Sequence, residues 1–162
     1  MRFAACELKG RSGHEAGREL LAQLYRAETG EKLPEIVIQE RGKPCFVDSK
    51  WHFSISRTPK HCFCALSRKN IGIDAEEADR EVNRKLADKI LSPTEKEQFD
   101  AAEDQRTALL TFWVLKEAAA KLSGEGLRGY PNHTKFSLED PRVRLCHGCL
   151  VAVMEEGEED AL

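Results

Sequence analysis

Phe112-Trp113-Val114-Leu115-Lys116-Glu117-Ala118-Ala119-Ala120-Lys121-Leu122-Ser123-Gly124-Glu125-Gly126-Leu127 is the stretch around which the rest of the chain is arranged. From Ala108 to Leu122 it consists almost wholly of good helix formers, and it stops at Ser123-Gly124, where glycine supplies the left-handed conformation that closes helices. The pattern predicts a helix from about Gln105 to Leu122. Leu109, Leu110, Phe112, Trp113, Leu115, Ala118, Ala119 and Leu122 cover more of its surface than the single stripe of an amphipathic surface helix, so most of it should be buried. Lys116, Glu117 and Lys121 interrupt the apolar surface within one arc, with Glu117 and Lys121 a single turn apart. Such a seam is either a solvated face stabilised by a weak Glu-to-Lys pair or one wall of a site.

A second set of carboxylates lies upstream, in Asn70-Ile71-Gly72-Ile73-Asp74-Ala75-Glu76-Glu77. Read as a strand, it puts Ile71 and Ile73 on one face and Gly72, Asp74 and Glu76 on the other. Two carboxylates two residues apart repel unless they are solvated or neutralised, and oxygen ligands of this kind suit Mg²⁺. Before it, Trp51-His52-Phe53-Ser54-Ile55-Ser56-Arg57-Thr58-Pro59 alternates apolar Trp51, Phe53 and Ile55 with polar His52, Ser54 and Ser56. That is the pattern of a half-buried strand. It ends in Ser56-Arg57-Thr58, whose hydroxyls and guanidinium either suit a phosphate or mark an ordinary exit from the strand. Cys62 to Leu66 reads as the partner strand.

Towards the N-terminus, Arg2 to Leu8 reads as a first strand and His14 to Arg26 as a helix, with Arg18 and Arg26 two turns apart and open to solvent or to a ligand. Pro34 to Ile38 reads as a short strand, followed by a fixed turn at Gly42-Lys43-Pro44 with Lys43 at its tip. Beyond the carboxylate strand, Glu81 to Ile90 is helical by pattern. Ser92-Pro93-Thr94-Glu95 starts a further helix, to about Phe99, with a capping box. Lys85, Leu86, Lys89 and Ile90 form a mixed basic and apolar surface that could receive an acidic partner or simply pack by its apolar residues. Lys135 to Leu138 and a hairpin from Arg142 to Met154 are expected as closing strands, and Glu155 onwards as an acidic, disordered tail.

The chain has 162 residues and a net charge of −3. This length allows one domain with a real core, or two small halves sharing one, and the charge leaves no footprint for nucleic acid. We find no apolar run of signal-peptide length at the N-terminus and none long enough to span a bilayer, so a cytosolic protein with reduced thiols is expected. Of the six cysteines, Cys146-His147-Gly148-Cys149 has the CxxC spacing of a zinc or redox site, with Cys62 and Cys64 as a conceivable second ligand pair. The strand-like flanks and the two-residue His-Gly turn explain the same spacing as a hairpin. Cys62 and Cys64 are then expected to pack together on one strand face.

In order along the chain, Gly42-Lys43-Pro44, Phe53-Ser54-Ile55-Ser56-Arg57-Thr58, Gly72-Ile73-Asp74-Ala75-Glu76, Trp113 to Lys121 and Gly124-Glu125-Gly126-Leu127 resemble the motifs of the phosphopantetheinyl transferases, in the Sfp-type branch. The motif order selects that branch over the trimeric holo-acyl-carrier-protein synthases. The resemblance implies an α+β fold, a pseudo-dimer of two similar halves with the active site in the cleft between them. These would be one domain over 1–154, with halves of about 1–68 and 69–154 and a tail over 155–162.

The resemblance also implies Mg²⁺-dependent transfer of the phosphopantetheine arm of coenzyme A to a serine of an acyl or peptidyl carrier protein, by a cytoplasmic monomer. It casts Asp74, Glu76 and Glu117 as metal ligands, Glu117 and Lys121 as catalytic, and Lys43, Pro44, Ser56, Arg57 and Arg18 as binding coenzyme A. Arg57 stands where the family usually has histidine. Lys9 and Arg11 are candidate counterparts of further basic residues of the family. A non-catalytic relative that binds coenzyme A or a carrier, and a Mg²⁺-dependent hydrolase of coenzyme A or a nucleotide, are the competing readings.

Overall fold

Arg2–Glu7 forms β1 and Gly13–Thr29 forms α1, whose first turn is fixed by a capping box between Ser12 and Glu15. The strands Ile36–Ile38 (β2), Pro44–Phe46 (β3), His52–Arg57 (β4), His61–Ser67 (β5) and Ile71–Glu77 (β6) follow. After a 3-10 turn at Arg84–Leu86 come α2 (Ala87–Ile90), α3 (Pro93–Ala101) and α4 (Gln105–Ser123), and a hairpin of β7 (Val143–Cys146) and β8 (Cys149–Glu155) closes the chain. This is a computed structural model, and it describes residues 1–126 and 135–157. Leu127 of the glycine-rich stretch and residues 158–162 of the expected tail lie outside the described residues.

The architecture is α+β and layered. One antiparallel sheet has the order β1-β5-β4 and another the order β6-β8-β7, while β2 and β3 pair separately. β5 is buried along its whole length because both of its faces are covered. Cys62, Cys64 and Leu66 pack against Ala16, Leu20, Leu21 and Tyr25 of α1, so the two cysteines share a face as expected. Phe63 and Ala65, on the other face, pack against Ile71, Ile73 and Ala75 of β6 and Val151 and Val153 of β8. The opposite face of β8, with Leu150, Ala152 and Met154, packs on α4. The order of layers is therefore α1, sheet, sheet, α4.

Where α4 crosses β6 the approach is very close. A Cβ at Gly72 would lie 2.1 Å from the carbonyl oxygen of Ala118 and 2.5 Å from the backbone nitrogen of Leu122. Neither is the end of a flexible side chain, so the helix itself would have to move. Gly72→Ala is expected to destabilise the protein by about 3 kcal/mol, the upper end of ordinary overpacking, and to displace the residues α4 carries. Thermal unfolding of that variant checks the point, and a melting temperature equal to wild type would show that the helix does not sit as described.

Several expectations need correcting. Ser54 and Ser56 do not face solvent: both are buried, and their hydroxyls accept hydrogen bonds from the Ile73 and Ala75 backbone N–H groups, each at 3.1 Å. They join the edge of one sheet to the edge of the other, which alternation alone could not show. The helix expected over Glu81–Ile90 begins only after Asn83, because the Asn83 side chain accepts from Lys85 N–H and starts the turn there. Lys135–Leu138 is no strand. Its backbone is held instead by α3 side chains: Glu95 accepts from Phe136 N–H, and Gln98 bonds both Phe136 C=O and Leu138 N–H. Glu155 is the last residue of β8, paired with Ile71, rather than the first of a tail.

Lys116 does not share the arc of Glu117 and Lys121. It points into the core, fully buried, where its ammonium pairs with the equally buried Glu95 at 2.8 Å. The expected hairpin at Cys146–Cys149 is present, and its turn residues His147 and Gly148 both have positive φ, at 51° and 73°.

Candidate active site

α4 and β6 together position the acidic residues. Asp74 follows Gly72 on the face of β6 turned to α4, and its carboxylate is buried. Asp74 Oδ1 accepts from the Ser56 hydroxyl at 3.0 Å and from Lys121 Nζ at 2.7 Å. Asp74 Oδ2, equally buried, has no hydrogen-bond partner among the described residues. Burial pushes this carboxyl above the usual carboxylate range, Lys121 and Ser56 pull against that, and the charge of Glu76 adds to it.

Glu76 accepts from the Trp113 indole N–H of α4 at 3.1 Å and pairs with Arg80, four residues further along, at 2.5 Å. Glu117 is half-buried on α4; burial comes first in raising its carboxyl, the negative charges of Asp74 and Glu76 add to that, and Lys121 opposes them. Three carboxylates thus press on one another in a desolvated space. That repulsion is costly unless a cation relieves it.

Beside them opens a cavity of about 330 Å³, whose wall includes Lys43, Pro44, Arg57, Glu117 and Lys121. Five of the residues singled out in the sequence, from three separate segments, therefore meet at one surface. Arg57 is exposed on that wall, with its stem over Gly13 at the start of α1, and among the described residues it is in no ion pair.

Lys43 is more constrained than a residue at a turn tip. Its ammonium reaches Asn70 Oδ1 at 2.5 Å and the carbonyl oxygen of Leu122 at 2.8 Å, so it caps the last turn of α4, where a cation also suits the helix dipole. Burial lowers its pKa.

The other candidates are placed differently. Ser56 is committed to Asp74 and the Ala75 N–H. Thr58 turns away, to Glu77 and His61. Arg18 is exposed on α1 and does not line the cavity. Sequence reading missed Arg41, which lines the cavity next to Gly42 and pairs with Glu125 at 2.7 Å; a lone arginine before a turn carries no signal of that. It also missed Trp113 as a donor to Glu76, since an indole in an apolar run reads only as core.

The donor chemistry fits a hard divalent cation. Asp74 offers an unpartnered, buried carboxylate oxygen, and Glu76 and Glu117 offer more oxygens in the same desolvated field. Lys121 and Arg80 pair with Asp74 and Glu76. Among the described residues, the set whose ligand atoms all lie within 4.8 Å of one another is a different one, His61, Glu77 and Cys149.

Comparison with known proteins bears on residues from both elements. A sequence model of the 4'-phosphopantetheinyl transferase superfamily matches residues 70–148, which include β6 and α4. The chain is 34% identical over 90 residues to the 4'-phosphopantetheinyl transferase gsp of Aneurinibacillus migulanus, a match covering 54% of this chain and 37% of that protein. It is 35% identical over 94 residues to a 4'-phosphopantetheinyl transferase of Bacillus subtilis, covering 56% of this chain and 41% of that protein. The matched segment spans well under half the length of either relative.

Proposed function

We propose that this chain, similar over residues 70–148 to the 4'-phosphopantetheinyl transferase superfamily and similar also to two 4'-phosphopantetheinyl transferases, transfers the 4'-phosphopantetheine arm of coenzyme A to a serine hydroxyl of an acyl or peptidyl carrier protein. Adenosine 3',5'-bisphosphate leaves. The observation that carries this reading is the meeting of Asp74, Glu117 and Lys121 beside a cavity that Arg57 and Lys43 also line. The two layered sheets, each with its own long helix, support the reading of two similar halves with the site between them; a site complete within one chain, in a cytoplasmic monomer, is part of the same proposal. Among the described residues no helix is long and apolar enough to cross a membrane.

In this reaction the carrier serine oxygen bonds to the phosphorus bearing the pantetheine arm, and the bond from that phosphorus to the bridging oxygen of the pyrophosphate breaks. Charge builds on the leaving phosphate. Arg57 is placed to hold phosphate oxygens of coenzyme A, since a guanidinium binds them in pairs. Lys121, already at the mouth of the carboxylate cluster, can turn from Asp74 to a phosphate oxygen and stabilise that charge. Glu117, whose carboxyl is held above the ordinary range, is suited to take the serine proton. Lys43 keeps the end of α4 in place and so acts on the site's geometry. Mg²⁺ would be held by Asp74, Glu76 and Glu117, and when bound it neutralises pyrophosphate charge.

A second hollow, of about 240 Å³, is lined by Lys85, Leu86, Lys89, Leu109 and Trp113. Its basic rim and apolar floor suit an acidic, amphipathic helix of a carrier. Lys85→Glu with Lys89→Glu is expected to raise the carrier KM about tenfold while leaving coenzyme A binding unchanged; an unchanged carrier KM would remove this docking surface.

The function is tested by following adenosine 3',5'-bisphosphate release from coenzyme A with and without an apo carrier protein. Transfer predicts release only when the carrier is present. Release at the same rate without a carrier would make the protein a hydrolase instead.

A further inference from the structure

We propose that His61, Glu77 and Cys149 form a zinc site that ties the two sheets together, on the face of β6 opposite the one turned to α4. The three come from different strands, β5, β6 and β8, and their ligand atoms all lie within 4.8 Å of one another. His61 and Cys149 are buried, and Glu77 is nearly so.

The individual distances have the dimensions of a metal site. Around tetrahedral zinc, with Zn–N near 2.05, Zn–O near 2.1 and Zn–S near 2.3 Å, the N···O and N···S edges come to about 3.4 and about 3.6 Å. In the structure His61 Nδ1 stands 3.4 Å from Glu77 Oε1 and 3.7 Å from Cys149 Sγ. As a hydrogen bond between imidazole and carboxylate, 3.4 Å is too long to be a good one, since charge-assisted bonds close to about 2.7–2.9 Å. Glu77 Oε1 takes its short bond from the Thr58 hydroxyl instead, at 2.6 Å. An acceptor oriented by its own donor is the arrangement that fixes a metal ligand.

The ligand types select the ion. One thiol, one imidazole and one carboxylate suit Zn²⁺ and not Mg²⁺. On binding, the Cys149 thiol gives its proton to solvent as the sulfur–zinc bond forms, with no change of oxidation state. Zn²⁺ with one thiolate and one carboxylate is then neutral, which matters in a buried place. Cys146, on the other flank of the His147-Gly148 turn, packs against the same apolar cluster but is not in the set of ligand atoms within 4.8 Å, so the fourth position is left to solvent. The exposed His147 ring lies over His61 with centroids 5.8 Å apart, so the tip of the hairpin covers one side of the site. This gives Cys149, one end of the CxxC hairpin, a use, with His61, rather than Cys62 or Cys64, as the partner from β5.

The test is titration of the metal-stripped protein with Co²⁺ in excess Mg²⁺, which occupies oxygen sites. The expected result is one equivalent of Co²⁺ with a near-ultraviolet thiolate-to-metal charge-transfer band, displaced by Zn²⁺. The band should vanish in Cys149→Ser, weaken in affinity more than tenfold in His61→Gln, and persist in Cys64→Ser, with circular dichroism confirming that each variant is folded. Absence of a thiolate band in the wild-type protein would overturn the proposal without reference to any variant. So would a band of unchanged intensity in folded Cys149→Ser.

Discussion

Replacing Glu117 by glutamine is expected to lower arm transfer by about 10²- to 10⁴-fold, the contribution of a positioned proton acceptor, without loss of fold. The second half of that expectation follows from the sign of the carboxyl's shift. Burial and the charges of Asp74 and Glu76 make the ionised form of Glu117 unfavourable in the folded protein. A neutral amide of the same shape relieves that repulsion, so the melting temperature should stay level or rise. A structural residue would behave in the opposite way, losing stability and activity together. Steady-state transfer with thermal unfolding on the same sample checks both halves, and a rate within threefold of wild type would remove Glu117 from the chemistry.

The largest effect on stability is expected at Lys116, not at the site. Lys116→Ala should cost about 3–5 kcal/mol, because it leaves the Glu95 carboxylate buried without its cation. For a chain of this size that corresponds to a fall in melting temperature of roughly 6–20 °C. Glu95 also holds the Ser92 and Phe136 N–H groups, so the loss loosens the start of α3 and the segment leading to β7. Lys116→Met combined with Glu95→Gln removes both charges and keeps the volume, but the Ser92 and Phe136 N–H groups bond to different oxygens of Glu95, only one of which the amide keeps, so it should recover only part of the stability. A single variant that melts within a degree of wild type would show that the pair is not buried as described.

These two residues, adjacent in α4, also show how far the sequence could be read. The helix itself was legible, since uninterrupted strong formers and a glycine stop leave little choice, and Gln105–Ser123 agrees with that reading to one residue. The acidic face of β6 was legible from period-two alternation. Lys116 was not: its place beside Glu117 suggests a shared charged seam, yet a turn of about 100° separates neighbours on a helix. What decides its fate is Glu95, which belongs to another element and enters no periodicity of α4.

Long-range partners hid the rest in the same way. Ser54 and Ser56 read as a solvent face because nothing in a strand's own pattern says that a second sheet lies against it. Lys43 read as free at a turn tip because its acceptors, Asn70 and Leu122, come from distant segments. The hairpin reading of Cys146–Cys149 was sound as local structure. Only the packing of the two sheets brings His61 and Glu77 to Cys149.

The central claim is tested most directly by the intact mass of an apo acyl carrier protein after incubation with this protein, coenzyme A and Mg²⁺, beside a sample containing EDTA. The account predicts a gain of one phosphopantetheine arm, lost with EDTA and lost with Glu117→Gln. A carrier whose mass is unchanged across a panel of acyl and peptidyl carriers, under conditions where the protein binds coenzyme A, would contradict it.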